Sequence, residues 1–282
     1  MGLEVQRALS EYWDVAGIGL TFQFSKSAEE GRDKALAAVA DGVYTVLVVG
    51  GDGAVNSVGS ALINSGVALG VIPAGSGNGF GRHFGIPLNP ARAAEVLVRA
   101  ERRVIDVGTA NGRSFFVTCS MAWDAALVRT FERSPMRGIL PYVFAAASEF
   151  IGYTPQPIDV ELDGRERMTF PDPMIFTVAN LTQYGGGARI APRACPDDGA
   201  LELVVILRQD ATRVLARLPR LFDGTLDQLP EVVTRRFSRL VVRRARPASL
   251  QLDGEMVEAP ANVEVGVLPK ALTVLVPARP EG

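Results

Sequence analysis

Two apolar runs in the first third of the chain each lead directly into a glycine-rich loop, and this arrangement limits the fold more than any other feature. Residues 45–49 (TVLVV) lead into Gly50-Gly51-Asp52-Gly53, and residues 69–72 (LGVI) lead into a loop over 74–85. Continuous aliphatic runs of this length are typical of parallel strands that are buried on both faces. Helical patterns cover residues 30–40, 54–64 and 90–101. The alternation of strand and helix predicts a doubly wound α/β domain.

From about residue 104 the pattern changes to short strands separated by turn dipeptides such as Asn111-Gly112, Asp163-Gly164 and Asp253-Gly254. Strand patterns cover residues 104–107, 114–120, 158–162, 175–179, 201–207, 240–244, 249–252 and 263–267, with helical patterns near 136–151 and 211–222. This half predicts an antiparallel β-sandwich with inserted helices. We therefore predict an α/β domain over residues 1–106, to which residues 270–282 return, and a β-sandwich domain over 107–269.

Composition and charge exclude several classes of protein. The chain has 282 residues, 48% of them apolar and 21% charged, which is ordinary for a globular protein of one or two domains. A net charge of −2 argues against nucleic-acid binding by bulk charge. One histidine and two cysteines give little material for a zinc site or a disulfide scaffold. The N-terminus has no apolar signal region, and no run approaches the roughly 20 apolar residues of a membrane span. We expect a cytoplasmic protein.

The two glycine-rich loops suit phosphate groups. Glycines let backbone N–H groups approach a phosphate closely, and ligands of open α/β sheets bind beyond the carboxyl ends of the strands. Neither loop fits the P-loop pattern, so Arg82 would supply the cation that a P-loop takes from lysine. The carboxylate of Asp52 would repel a phosphate, so Mg²⁺ or a transferable proton would be needed nearby. The alternative is a tight strand-to-helix turn in which Asp52 caps the helix.

Four motifs together resemble the diacylglycerol kinase catalytic family. The first two are Gly50-Gly51-Asp52-Gly53 and the later run PAGSGN at residues 73–78. Residues 191–199 (APRACPDDG) resemble the acidic Mg²⁺ segment of that family, and residues 252–255 (LDGE) resemble its C-terminal acidic motif. The motifs occur in the family's order, and the resemblance runs from about residue 20 to the end of the sequence, which makes it far more specific than a single glycine-rich match.

The resemblance implies a lipid kinase that transfers the γ-phosphate of ATP, with Mg²⁺, to the hydroxyl of a diacylglycerol-like or sphingoid-like lipid. It implies that Asp52 is catalytic, that Asp106 orders metal-bound water, and that Glu255 is the general base. It also implies that Asp197 and Asp198 bind Mg²⁺. The residues implied to bind the nucleotide are Gly50, Gly51, Asp52, Gly53, Gly75, Ser76, Gly77, Asn78 and Arg82. The implied partner is a membrane lipid, reached by peripheral contact with the bilayer, and the sequence leaves a homodimer open.

Three features differ from the family pattern. No Asn-Pro-x-Ser-Gly loop opens the chain, so we expect the family's first strand to be missing; Gly79 stands where many members have Asp, and Ala54 replaces the usual Thr. Two alternatives therefore stay open. One is a kinase of a soluble substrate that resembles NAD kinases or phosphofructokinases, which share the GGDG motif. The other is a nucleotide- or lipid-binding protein without turnover. The segments PDDG and LDGE favour the lipid kinase.

Two further regions each allow two interpretations. The aromatic segment over residues 123–153 is typical of a helical core, and the family resemblance makes it a candidate wall for acyl chains. The pairs Arg235-Arg236 and Arg243-Arg244 are typical of solvated faces, and the alternative is contact with anionic lipid headgroups.

Overall fold

The computed structural model describes residues 2–122 and 155–278. The chain divides into two compact units, one of Met1–Ile105 with Lys270–Gly282 and one of Asp106–Pro269. The predicted helix near 136–151 and the aromatic segment over 123–153 lie outside the described residues. Among the helices that the structure describes, none is both long and apolar enough to cross a lipid bilayer.

The first unit alternates helices and strands, as predicted. Its helices are α1 (Gly2–Leu9), a π-helical turn (Ser10–Asp14), α2 (Ala28–Ala40), α3 (Asp52–Leu62), α4 (Gly79–His83) and α5 (Pro90–Leu97). Its strands are β1 (Thr45–Gly50), β2 (Ala68–Pro73) and the last part of β14 (Asn262–Val276). The side chain of Asn89 accepts the backbone N–H of Arg92, and Pro90 occupies the first turn, so α5 begins where the sequence predicts.

The strands of this unit pair in parallel. β2 pairs with β1 along its whole length and with residues 273–274 of β14 on its other side, so every residue of β2 is buried. β1 has a partner strand on one side only within the described part of the chain, and Val49 is 43% exposed. The expectation that both runs are buried on both faces is therefore correct for β2 and wrong for β1, which lies at the edge of the sheet.

The second glycine-rich loop is shorter than predicted, because residues 79–83 form helix α4. Phe80 is fully buried in this helix, and its ring lies 4.9 Å from the ring of Phe84. The sequence pattern missed α4 because glycine normally disfavours helix. Here the burial of one aromatic side chain stabilises the turn.

The second unit is a sandwich of two sheets. Its strands are β3 (Glu101–Ala110), β4 (Arg113–Phe115), β5 (Thr118–Ser120), β6 (Ile158–Leu162), β7 (Glu166–Phe170), β8 (Pro173–Ala179), β9 (Leu201–Leu207), β10 (Val232–Phe237), β11 (Arg239–Arg244), β12 (Leu250–Leu252), β13 (Glu255–Val257) and β14; the helices are α6 (Ala211–Asp223) and a 3₁₀ turn (Leu226–Gln228). One sheet has the order β14–β11–β6–β7, and the other has the order β10–β9–β8–β5–β12–β13. The inward-facing side chains, Phe176, Leu203 and Phe237 among them, form one apolar core.

The sandwich prediction is confirmed, with three differences in detail. The predicted strand over 114–120 is two strands, β4 and β5, and the last strand continues to Val276. The sequence patterns missed β7, β10 and β13. The dipeptides Asn111-Gly112, Asp163-Gly164 and Asp253-Gly254 form hairpin turns in which all six residues have positive φ, which is the backbone that two-residue hairpins favour.

The packing of the second unit can be tested by a substitution at Gly108. It lies opposite Phe115 in the β3–β4 pair, and a Cβ atom at position 108 would lie 2.2 Å from the Phe115 ring. Gly108→Ala should displace this fully buried ring and lower the free energy of unfolding by about 1–3 kcal/mol, measured by urea denaturation. Gly266→Ala is the control, because its Cβ would meet no atom closer than 3.7 Å. Equal stability of the two variants would contradict this packing.

Candidate active site

The two glycine-rich loops of the first unit lie backbone against backbone. The N–H of Ala74 donates to the carbonyl of Gly50 at 2.9 Å. A Cβ on Gly75 would lie 2.6 Å from the Cα of Gly51, and a Cβ on Gly51 would lie 3.1 Å from the Cα of Gly75. These two glycines are therefore required by the close approach of the loops themselves. The contact joins the carboxyl ends of two neighbouring parallel strands, where ligands of such sheets bind.

Asp52 connects the two loops through its side chain. Its Oδ2 accepts the N–H of Gly79 at 2.9 Å, and its Oδ1 accepts the N–H of Phe80 at 3.0 Å. Burial raises the pKa of this carboxyl, while the N–H groups of Phe80 and Gly79 and the charge of Arg82 act to lower it. The alternative from the sequence, a cap on its own helix, is wrong because Asp52 caps the N-terminus of α4. Gly79, one of the departures from the family pattern, contributes one of the two N–H groups.

The loop over 75–78 is stabilised from within. Asn78 has a left-handed backbone, its Oδ1 accepts the N–H of Gly75 at 2.9 Å, and its Nδ2 donates to the carbonyl of Gly75 at 2.8 Å. Arg82 Nε donates to the carbonyl of Gly77 at 3.0 Å. Ser76 is exposed at the tip of the loop. Asn78 and Arg82 thus fix the shape of the loop, and their contact with a nucleotide stays a prediction.

In the second unit, Asp106 is fully buried and binds the acidic segment 191–199. Its Oδ2 accepts the N–H of Gly199 at 2.7 Å, and its own N–H donates to the carbonyl of Pro196 at 2.6 Å. Asn180, which the sequence analysis missed, donates through Nδ2 to the carbonyls of Asp106 and Phe116, both at 3.0 Å. A single Asn after a strand gives no sequence signal for this role. The ordering of metal-bound water by Asp106 stays a prediction.

The acidic pair of this segment is already engaged by protein groups. Cys195 Sγ donates to Asp197 Oδ1 at 3.1 Å, and burial together with this hydrogen bond raises the pKa of the thiol. Asp198 forms an ion pair with Arg236 and accepts the N–H of Ala200 at 3.1 Å. Over residues 2–122 and 155–278, no group of three or more His, Cys, Asp and Glu side chains is placed to hold a metal. Each carboxylate thus already has a protein partner, and the Mg²⁺ site at Asp197 and Asp198 stays a prediction.

Glu255 is exposed at the first position of β13, directly after the turn Asp253-Gly254. Asp253 is only 3% exposed. Its carboxylate accepts the backbone N–H groups of residues 116–118, a short segment that we call the strap. The turn signal in the sequence predicted the hairpin correctly but gave no indication of this buried carboxylate. Since Asn180 ties the carbonyl of Phe116 to that of Asp106, the second unit brings Asp106, the acidic segment and the turn before Glu255 together.

The arginine pairs do not form an unpaired basic face. Arg235 pairs with Glu166 at 2.9 Å, and Arg236 pairs with Asp198. The expectation of a solvated side chain is wrong for Arg244, which is 5% exposed and donates through Nη2 to the carbonyl of Pro260 at 2.7 Å. Contact of these pairs with lipid headgroups gains no support from such an arrangement.

Comparison with known proteins gives matches over both units. Residues 2–110 match the model of the diacylglycerol kinase catalytic domain, and residues 118–276 match that of the YegS C-terminal NAD kinase beta sandwich-like domain. A diacylglycerol kinase of Mycobacterium tuberculosis is 33% identical over 258 residues, which cover 89% of this chain and 82% of that protein. The probable lipid kinase YegS-like of Yersinia enterocolitica is 27% identical over 92% of this chain and 88% of its own length.

Solved structures share the fold. A diacylglycerol kinase from Bacillus anthracis superposes with a TM-score of 0.71 at 19% identity, over 98% of this chain and 92% of its own. An NAD kinase from Archaeoglobus fulgidus in complex with ATP has a TM-score of 0.51 at 12% identity, over 97% of this chain and 89% of its own. The predicted architecture, an α/β unit with a β-sandwich unit, is confirmed, and the fold is similar to that of NAD kinase.

The connection made by Asp52 can be tested by its effect on stability. Asp52→Ala leaves the N–H groups of Gly79 and Phe80 without their acceptor, and should lower the free energy of unfolding by about 1–3 kcal/mol in urea denaturation. Asp33→Ala, on an exposed position of α2, should change it by less than about 0.5 kcal/mol. If both variants unfold at the same urea concentration, Asp52 does not hold α4 to the first loop.

Proposed function

The chain belongs to the diacylglycerol kinase family of lipid kinases, and from that membership we propose that it transfers the γ-phosphate of MgATP to the hydroxyl of a diacylglycerol-like or sphingoid-like membrane lipid. A kinase of a soluble substrate, the alternative that the sequence left open, has less support because the two relatives described above carry lipid or diacylglycerol kinase names over most of this chain. The observation that carries the proposal is the contact of the two glycine-rich loops through Gly51, Gly75 and Asp52.

We assign the ATP phosphates to these loops. The glycines let a phosphate approach the backbone closely between the ends of β1 and β2, and the N-terminal end of α3 adds its partial positive charge. Ser76 is exposed and can donate its hydroxyl to a phosphate oxygen. Arg82 lies beside the second loop, where its Nε donates to the carbonyl of Gly77, and adds a positive charge there. Mg²⁺ enters with ATP as part of the substrate and neutralises phosphate charge.

Glu255 is the residue that we assign to the lipid hydroxyl. In the transfer, the hydroxyl oxygen forms a bond to the γ-phosphorus, the bond from that phosphorus to the bridging oxygen breaks, and ADP leaves. The hydroxyl proton must be removed as the new bond forms, since a free lipid alkoxide is too basic to form first. An exposed carboxylate on a strand end can accept that proton at a distance of about 2.6–3.2 Å. Glu255 has this exposure and this position on β13.

Contact with the bilayer is assigned to helix α6. Leu218 is 37% exposed and Phe222 is 39% exposed, four residues apart along one side of the helix. Arg213 and Arg217 lie on its polar side, where they pair with Asp210 and Glu231. An apolar side with a basic polar side is typical of helices that lie at a membrane surface. The contact would bring the enzyme to a substrate that does not leave the bilayer.

The catalytic assignment predicts a large effect of one substitution. Glu255→Gln keeps the size and the hydrogen bonding of the side chain but cannot take the proton, so turnover with radiolabelled ATP and dispersed lipid should fall about 10²–10⁴-fold. The KM for ATP should stay within about twofold. The control is Glu258→Gln, an exposed acid three residues further along that accepts the Ser249 hydroxyl at 2.7 Å. A loss below about tenfold in Glu255→Gln would remove Glu255 as the base.

The membrane assignment predicts a separate effect. Leu218→Ser combined with Phe222→Ser should lower co-sedimentation with lipid vesicles at least about threefold, because less apolar surface enters the bilayer. Turnover of a short-chain substrate dispersed below its micelle concentration should not change. The control combines Leu36→Ser with Phe24→Ser, a Leu and a Phe that are 42% and 69% exposed in the first unit. An equal loss of vesicle binding in both double variants would contradict the role of α6.

A further inference from the structure

We propose that Asp253 is a positioning residue that fixes where Glu255 presents its carboxylate. The inference rests on the proposed role of Glu255 as the base. Asp253 itself is buried, with an exposed fraction of 3%, so we infer that it acts through Glu255 and does not contact the substrate. Only Gly254 separates Asp253 from Glu255. A change in the position of Asp253 therefore also moves the first residue of β13.

The carboxylate of Asp253 accepts three backbone N–H groups from the strap formed by residues 116–118. Oδ2 accepts the N–H of Phe116 at 2.7 Å, and Oδ1 accepts the N–H groups of Val117 at 2.7 Å and Thr118 at 3.0 Å. The N–H of Asp253 donates back to the carbonyl of Thr118 at 3.0 Å. Three donors on two oxygens suit a carboxylate better than a side-chain amide, which has only one acceptor oxygen.

Two further hairpin turns in the described part of the second unit have the same construction with fewer bonds. Asn111 accepts one backbone N–H, that of Glu264 at 2.8 Å. Asp163 accepts two, from Ser238 at 3.0 Å and Arg239 at 2.8 Å, both on Oδ1. Both turn residues are exposed. The turn before Glu255 is thus the one of these three whose side chain is buried and uses both oxygens.

The strap is itself held on its other side. Asn180 donates through Nδ2 to the carbonyls of Phe116 and Asp106 at 3.0 Å, and its N–H donates to the carbonyl of Val117 at 3.0 Å. The strap and Asn180 therefore connect the Asp253 turn to Asp106 through hydrogen bonds. A reacting group must be held within a fraction of an ångström, and a displacement of about 1 Å can cost on the order of 10²-fold in rate. Hydrogen bonds of this number and length supply that restraint.

The test is a double-mutant cycle in the full chain with MgATP and dispersed lipid. Asp253→Asn keeps a residue that accepts a left-handed backbone but turns one oxygen into a donor that faces N–H groups. Its kcat should fall about 10–100-fold, with the KM for ATP within about twofold. In the Glu255→Gln background the same change should cost less than about twofold, because the base that it positions is already absent.

Asp163→Asn is the matched control, since one amide oxygen can still accept both of its N–H donors; its kcat should stay within about twofold. Equal losses from Asp253→Asn in the two backgrounds, or an equal loss in Asp163→Asn, would overturn the positioning role while leaving Glu255 as the base. An active Glu255→Gln variant would overturn the base and, with it, the positioning of that base.

A second pair of variants covers the case in which Asp253→Asn does not fold. Gly254 has φ +97° and Gly164 has φ +66°, and a Cβ at either position would meet no atom within 4 Å. Gly254→Ala strains the turn before Glu255 and should lower kcat at least about fivefold, whereas Gly164→Ala strains the turn of Asp163 and should leave kcat within about twofold. Equal kcat values of the two variants would overturn the proposal.

Discussion

Carboxylates that accept backbone N–H groups determine the shape of both candidate regions. Asp52 receives the first two N–H groups of α4, Asp106 receives that of Gly199, and Asp253 receives three from the strap 116–118. Each of these bonds joins segments that are far apart in the sequence. Removal of any of these acids would leave N–H donors without partners in a poorly solvated place. The acids of the sequence motifs therefore hold the loops in shape, and any catalytic role of these acids depends on that shape.

A division between buried and exposed acids follows from this constraint. Asp106 and Asp253 are enclosed and already satisfied by the backbone, so they are suited to hold position. Glu255 is exposed and is the acid that we assign to proton transfer. Asp198 is intermediate, because its carboxylate is partly exposed and forms an ion pair with Arg236. A motif that places an Asp and a Glu two residues apart can thus serve two purposes on one hairpin.

The sequence predicted the regular elements well, and its failures have identifiable physical causes. Runs such as residues 201–207 were predicted because an apolar pattern is a local property, and β9 has those bounds. Helix α4 was missed because the buried ring of Phe80 outweighs the poor propensity of its glycines. The role of Asp253 was missed because its partners lie 135 to 137 residues earlier in the chain. Local patterns describe turns and strands, whereas a bond between distant segments becomes visible only in the folded chain.

The parallel sheet of the first unit is completed from the far end of the chain. Strand β2 takes one neighbour, β1, from nearby in the sequence, and the other from residues 273–274 of β14. During synthesis on the ribosome, the second edge of β2 therefore stays uncovered until residues 273–274 have been made. The sheet of the first unit therefore gains its third parallel strand only after the strands of the sandwich have been made, although residues 1–105 are made first. The completed sheet of the first unit thus depends on residues that follow the whole sandwich in the chain.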